Sequence, residues 1–274
     1  MPELPEVETI VRDLRPHVVG SRVEALVHLN PAVVRYPDPG DVAVGLEGRT
    51  VACLGRRGKF IQLWLDSKQE LVVHLGMTGT LTLEAAAAPL RTHTHLRLGL
   101  DSGSELRYRD PRRFGRVLLG TESELEQAGV MPRLGVEPFA PDFASGLAAE
   151  VLRTSRRPVK AVLLDQSVIA GCGNIYADEA CFLARVRPGR RAWRLSTSER
   201  RRLLAALPIV MAEAIERRGT SFSDYRDGFG AKGQAFESLF VYGRGGRACV
   251  RCRSTLRQVR IAGRTTVFCG RCQS

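Results

Sequence analysis

Four cysteines near the C-terminus constrain this chain more than any other feature. They form two pairs, Cys249-Val250-Arg251-Cys252 and Cys269-Gly270-Arg271-Cys272, with sixteen residues between them. Each CxxC turn presents two thiolates on one side of a tight loop, and two such turns at this spacing read as a tetrahedral four-thiolate zinc site. One Zn2+ joining the turns lets a short segment with few core residues fold. The bland alternative is four ordinary reduced thiols. A disulfide framework suits a small secreted chain. Here Met1-Pro2-Glu3-Leu4-Pro5-Glu6 places acids and prolines where a signal peptide needs cations and an apolar stretch. A closed set of four thiolates leaves no position for water, so the zinc is expected to be structural. Between the pairs, Leu256, Val259 and Ile261 precede Ala262-Gly263, and Val267 and Phe268 follow it. That pattern predicts a β-hairpin turning at Gly263, with Arg264 beside the turn.

The charge points to a polyanion. Lys+Arg number 41 against 29 Asp+Glu, a formal charge of +12, and the stretch 244–274 carries eight arginines and no acid. Such an excess speaks of partners, nucleic acid first. Only Lys59, Lys68, Lys160 and Lys232 are lysines. The arginine excess fits phosphate recognition through a planar fork, and equally a GC-rich genome. No apolar run reaches the roughly 18 residues a membrane helix needs, so a secreted or membrane protein is not expected.

The pattern of apolar residues predicts an α+β chain. Val7, Ile10, Val11 and Leu14 have helical spacing, so a first helix begins near Pro5 and ends around Pro16 to Gly20. Strands are predicted at Val23–Leu29, Thr50–Leu54, Phe60–Leu65, Glu70–His74, Thr80–Leu83, His93–Leu100, Glu105–Tyr108 and Val117–Leu119. Many short strands without intervening helices suggest an antiparallel β-sandwich. Helices are predicted at Glu122–Ala128, Leu147–Thr154, Pro158–Leu164 and Ile175–Val186, the last capped by Asn174 after two glycines. A helix start of this kind is a ready phosphate site. Ser196-x-x-Glu199 is a capping box opening a helix over Glu199–Arg217, with a kink expected at Pro208. The expected domains are a β-sandwich over 1–130, a linker over 131–141, a helical DNA-binding domain over 142–236 and a zinc hairpin over 237–274.

Seven motifs together resemble the formamidopyrimidine-DNA glycosylase family of bacterial base-excision repair enzymes for oxidised purines. They are Pro2-Glu3-Leu4-Pro5-Glu6-Val7-Glu8, Arg57-Gly58-Lys59-Phe60, His74-Leu75-Gly76-Met77-Thr78-Gly79, Asp110-Pro111-Arg112-Arg113-Phe114-Gly115, Gly171-Cys172-Gly173-Asn174-Ile175-Tyr176, Val241-Tyr242-Gly243-Arg244 and the four-cysteine tail. They run in family order from end to end. The resemblance implies a helix-two-turn-helix domain, and double-stranded DNA with oxidised bases or abasic sites as partner, held in a cleft between two domains. It also implies one structural Zn2+ on Cys249, Cys252, Cys269 and Cys272, and a cytoplasmic, nucleoid-associated bacterial enzyme. A monomer is expected.

The resemblance also implies roles. Pro2, freed by loss of Met1, is the nucleophile. An α-amino group has a pKa near 8 against roughly 10.4 for lysine, so more of it is neutral and able to form a Schiff base. Glu3 is the general acid, while Glu6 and Glu8 on the first helix are expected to be structural. Lys59 contacts phosphate beside the lesion and assists β-elimination, and Arg264 grips flanking phosphates and assists δ-elimination. His74 and Asn174 are phosphate ligands; His93, Lys160 and Arg156 are further DNA contacts. Met77, Arg112 and Phe114 fill the gap left by the extruded base, with Arg112 reading the orphaned partner. The glycine-rich segment 219–233 caps the flipped base, and Ser223 stands near the position where some relatives carry a lysine. Two other readings remain open at this level: an endonuclease VIII-like enzyme for oxidised pyrimidines, and a zinc-hairpin protein that binds nucleic acid without chemistry. Glycine typical of the former is replaced here by Leu4.

Overall fold

The structure, a computed structural model, describes residues 2–221 and 224–274. The expectation attached to Ser223 lies outside the described residues. The chain divides into two compact units: Met1–Pro132 with Arg217–Phe236, and Arg133–Glu216 with Glu237–Ser274. The segment 217–236, which the sequence reading groups with the helices before it, belongs to the first unit. The reason is polar: Glu6 Oε1 accepts the Thr220 backbone N–H (2.8 Å), and the Tyr225 hydroxyl donates to the Glu6 carbonyl (3.3 Å).

The first unit opens with α1 (Leu4–Val18). A capping box between Glu3 and Glu6 starts it, with the Glu3 N–H donating to Glu6 Oε2 at 2.8 Å. Its apolar face, Val7, Ile10, Val11, Leu14 and Val18, is fully buried. Burial of each such side chain contributes roughly 1.5–3 kcal/mol. The helix lies against two sheets. One contains β1 (Val23–Leu29), β7 (Thr94–Leu100), β8 (Ser104–Arg109) and β6 (Thr80–Ala85), paired in that order and antiparallel throughout. The other runs β2 (Val34–Tyr36), β9 (Arg116–Gly120), β5 (Glu70–His74), β4 (Phe60–Leu65) and β3 (Val51–Arg57). Leu96, Leu98, Leu106 and Tyr108 from the first sheet and Ile61, Leu63, Leu71, Val73 and Val117 from the second share one core with α1.

The expected sandwich is therefore present, with additions. β2 pairs parallel to β9, and it and α2 (Pro39–Leu46) lie between Leu29 and Thr50, where the sequence reading places no element. Proline is tolerated because it falls in the first turn of α2. A short helix, α3 (Glu122–Gln127), follows β9 and is boxed by Thr121 and Glu124. His93 was expected to begin β7. It sits instead at φ +67, outside the strand, and is exposed.

The second unit holds α4 (Leu147–Thr154), α5 (Val159–Leu163), α6 (Asn174–Leu183), α7 (Thr197–Glu216) and the hairpin β10 (Arg257–Ile261) and β11 (Arg264–Phe268). The capping box before α7 is present: the Ser196 N–H donates to Glu199 Oε2 (2.7 Å), and the Glu199 N–H to Ser196 Oγ (3.2 Å). Pro208 is accommodated within α7. Within the expected linker, Gly135 and Val136 donate backbone N–H groups to the Gln166 and Val168 carbonyls, so this stretch is tied to the helical unit. Among the described residues no helix is long and apolar enough to cross a membrane.

Candidate active site

In the first unit, Pro2 and Glu3 are buried at the start of α1. Glu8 on the same helix pairs with Arg56 Nε on β3 at 3.0 Å, and Arg15 donates to the Leu54 carbonyl at 2.9 Å. These contacts fasten the N-terminal helix to the β3–β4 hairpin. Lys59 occupies the two-residue turn of that hairpin beside Gly58, which adopts φ +57. Lys59 is thus a turn residue and not part of a strand. It is buried, and its ammonium has no hydrogen bond or ion pair among the described residues.

His74 ends β5, opposite Phe60. The Gly76 N–H donates to His74 Nδ1 at 3.2 Å, so Nδ1 is the acceptor and Nε2 carries the proton. Burial pushes the imidazole pKa down to about 4; Arg116 and Lys59 reinforce this, and Asp110 opposes it. His74 is therefore a neutral N–H donor at physiological pH. An unfolded histidine near 6.5 binds a proton that the folded one refuses, so this group's stabilisation is complete above about pH 6.5 and lost as pH falls through 4. Urea melts between pH 7 and 4 are expected to show wild type losing up to about 3 kcal/mol more than His74→Gln. Parallel pH curves for the two proteins would sink this assignment.

Met77, Arg112 and Phe114, the residues expected to fill the gap, are organised by Asp110, a role that sequence reasoning missed. Asp110 is fully buried. Its Oδ1 accepts from Thr78 Oγ1 (2.5 Å) and the Arg112 N–H (3.2 Å), and its Oδ2 from the Gly115 N–H (2.8 Å) and Tyr108 hydroxyl (3.1 Å). Burial alone raises the pKa of this carboxyl, but the bonds from Thr78, Gly115, Tyr108 and Arg112 outweigh it and hold the group below its ordinary value. The carboxylate thereby ties the Met77–Gly79 turn to the 110–115 loop. A Cβ on Gly76 would stand 2.5 Å from the Gly115 nitrogen, and one on Gly115 would stand 1.9 Å from the Tyr108 hydroxyl. The two loops meet backbone to backbone, which only glycine permits. Met77 and Phe114 stay exposed at 38% and 53%, and the Arg112 guanidinium lies 4.5 Å from the Phe114 ring centroid. The buried histidine of this region is His95, whose Nε2 meets the Asp110 carbonyl at 2.9 Å.

In the second unit, Arg264 opens β11 next to the Ala262-Gly263 turn, where both residues have positive φ, and is exposed. Arg156 is exposed too. Asn174 does not cap α6. It is the first helical residue, Gly173 occupies the cap position, and the Asn174 amide donates to the Thr265 carbonyl at 3.2 Å. The expectation of a direct DNA contact from Lys160 is corrected. Its side chain is 0% exposed, and Nζ pairs with Asp178 Oδ1 (2.6 Å), Thr266 Oγ1 (2.8 Å) and the Thr265 carbonyl (3.1 Å). Lys160 braces the hairpin from beneath, one residue beyond Arg264. Asp178, on α6, also accepts the Val267 N–H at 3.0 Å. Its neighbour Glu179 accepts three backbone N–H groups, from Phe240, Val241 and Tyr242.

The four cysteine sulfurs lie within 4.8 Å of one another. The Cys249–Cys272 and Cys252–Cys269 sulfur separations are 3.9 and 3.5 Å. Tetrahedral zinc with Zn–S of about 2.3 Å requires sulfurs about 3.8 Å apart, so the donor set fits.

Three family profiles match in chain order: the formamidopyrimidine-DNA glycosylase N-terminal domain over residues 1–117, the formamidopyrimidine-DNA glycosylase H2TH domain over residues 134–226, and the zinc finger found in FPG and IleRS over residues 246–274. A formamidopyrimidine-DNA glycosylase from Symbiobacterium thermophilum is 44% identical over 274 residues, covering 100% of this chain and 89% of that one. The chain belongs to the formamidopyrimidine-DNA glycosylase family. A relative of the same description from Moorella thermoacetica is 46% identical, with 95% of each chain covered. The crystal structure of the MutM (Fpg) protein from Thermus thermophilus superposes with a TM-score of 0.88 at 43% identity, covering 99% of this chain and 98% of that one. A Lactococcus lactis Fpg mutant in complex with a Fapy-dG containing DNA gives a TM-score of 0.91 at 33% identity, with 99% of each chain covered. The family's zinc finger coincides with Cys249, Cys252, Cys269 and Cys272, and one structural zinc is the cofactor of this module.

Proposed function

We propose that this family member is a bifunctional DNA glycosylase and AP lyase of base-excision repair, removing 8-oxoguanine and formamidopyrimidines from double-stranded DNA. The observation that supports it most directly is the joining of the Met77 turn to the Arg112–Phe114 loop through Asp110. That places two exposed apolar side chains and one guanidinium together, as filling a vacated base position requires.

The chemistry follows from Pro2 once Met1 is removed. Its secondary amine attacks C1′ as the glycosidic C–N bond breaks, and the base leaves with a proton. Glu3, buried beside it, supplies a proton to the sugar ring oxygen or to the leaving base. The ring opens to an iminium joining Pro2 and C1′, which acidifies the C2′ proton. Loss of that proton expels the 3′ phosphate in β-elimination, and a second elimination expels the 5′ phosphate. Lys59 and Arg264 hold the phosphates, His74 and Asn174 donate N–H groups to others, and Arg156 and His93 add surface contacts. Zinc, when bound, supplies the rigid frame that carries Arg264. The work is done in the bacterial cytoplasm on nucleoid DNA.

Borohydride trapping tests this reading on two duplexes, one with 8-oxoguanine opposite cytosine and one with thymine glycol. A covalent adduct is expected mainly on the first and lost in Pro2→Gly, while Glu3→Gln slows base release by roughly 10²–10⁴-fold. An adduct mainly on thymine glycol would move the substrate class to oxidised pyrimidines. Salt-sensitive binding with no adduct on either duplex would leave a non-catalytic binder.

A further inference from the structure

The second unit carries an aromatic and basic surface that the chemistry above does not use. Two stretches of chain lie side by side there. The Trp193 N–H donates to the Ser155 carbonyl at 3.0 Å, the Ala192 N–H to the Arg157 carbonyl at 2.9 Å, and the Val159 N–H to the Arg190 carbonyl at 2.8 Å. Ala192 and Leu195 are buried, and the single 3₁₀ turn Ala192–Arg194 holds Trp193 outward at 48% exposure. The turn is pinned by its neighbour and anchored from below, so the exposure of the indole is built into the fold. A rigid exposed indole offers a large contact area at little cost in lost conformational freedom.

The charges around the ring are sorted. Arg153 pairs with Glu150, Arg157 with Asp165 and Arg190 with Glu199. Arg156, Arg191 and Arg194 are exposed and have no carboxylate partner among the described residues. Neutral groups orient two of them instead. Arg191 Nη1 donates to the Arg156 carbonyl at 3.0 Å, and the Arg194 guanidinium lies 5.2 Å from the Trp193 ring centroid. Arg190 Nη2 also donates to the Arg194 carbonyl at 2.8 Å, which fixes the backbone beneath. The guanidinium groups are thus placed without their charge being cancelled. Three such cations around one ring fit a chain of phosphates with apolar sugars between them. The paired stretches also run on to Lys160, whose N–H donates to the Pro188 carbonyl at 3.0 Å and whose ammonium braces the hairpin that carries Arg264. The surface is therefore continuous with elements read above as touching DNA.

We propose that Arg191, Trp193 and Arg194 form a second DNA contact that grips the sugar–phosphate backbone of the duplex flank on one side of the lesion. The two guanidinium groups hold phosphates, and the indole lies against deoxyribose. This rests on the duplex DNA partner of the function proposed above. The contact reads no base, so it strengthens binding to damaged and intact DNA alike and leaves the chemistry untouched.

The test uses two duplexes carrying the same lesion near one end or near the other, so that each has a long flank on one side and only a few base pairs on the opposite side. Wild type is compared with Arg191→Gln/Arg194→Gln, Trp193→Ala and Trp193→Phe. On one duplex only, the double variant is expected to bind about tenfold more weakly, and its log–log salt dependence to be shallower by about two, one for each phosphate released. Trp193→Ala is expected to lose about fivefold on that same duplex with its salt dependence unchanged, because the lost contact is apolar, and Trp193→Phe to keep most of the affinity. Base release at saturating enzyme stays within about twofold of wild type in every variant. Equal losses on the two duplexes would reduce the surface to a general charge effect and overturn the proposal. Unchanged affinity on both would overturn it as well and leave the surface to an acidic protein partner. Wild type that binds neither duplex would sink the proposed function, and this contact with it.

Discussion

Lys160→Met is expected to cost the second unit about 3–5 kcal/mol and to lower its melting temperature by roughly 10 °C. The cause is what the substitution leaves behind. Asp178 is fully buried, and burial already raises its pKa against the pull of Lys160. Without the ammonium its Oδ1 faces the interior uncompensated, the Thr266 hydroxyl loses the donor to its oxygen, and the Thr265 carbonyl keeps the Asn174 amide alone. The double variant Lys160→Met/Asp178→Leu removes both charges and is expected to recover most of the stability. It does not restore the bonds beneath β11, so the phosphate contacts proposed for Arg264 should remain impaired. Calorimetry of the single and double variants, with strand cleavage measured on abasic DNA, separates the two effects. A single variant that melts within a degree or two of wild type would refute the bracing role.

Removal of zinc is expected to have the larger effect. The module's apolar core is small: Val241, Leu256, Val267 and Phe182 with two of the cysteines. Zinc binding to such sites is worth roughly 10–16 kcal/mol, and that binding energy is also folding energy. A chelator, or Cys252→Ser, should unfold the hairpin and abolish DNA binding, while the core around α1 and the two sheets keeps its cooperative melt. The check is a hairpin-specific probe, such as exchange at the Val267 amide, followed alongside metal content. A hairpin that stays protected after the metal is lost would show that the packing against Phe182 suffices.

Legibility in the sequence followed the range of the interactions. The Ala262-Gly263 turn and the Ser196–Glu199 box were readable because all their partners lie within a few residues. The cysteine cluster was readable because thiolate spacing is itself the signal. Lys160 was misread as a surface contact because its partners lie 18 residues away at Asp178 and about 105 away at Thr265 and Thr266. Asp110 stood inside a quoted motif, but no motif shows that four donors converge on one carboxylate. Asn174 looked like a cap from its place after two glycines, and its amide instead serves a strand 91 residues on. Alternation placed His93 and His95 alike in β7; a positive φ at His93 separates them into one exposed and one buried ring.

The Glu6 carboxylate described at the start of α1 has a consequence for how the enzyme is made. One oxygen accepts from Glu3, next to Pro2, and the other from Thr220, 214 residues later. A chain emerging from the ribosome exposes Pro2 almost at once, yet the seat around it stays unfinished until the segment beyond residue 217 has been synthesised. Pro2 therefore exists long before its surroundings do, and completion of this seat is tied to the closing stage of translation.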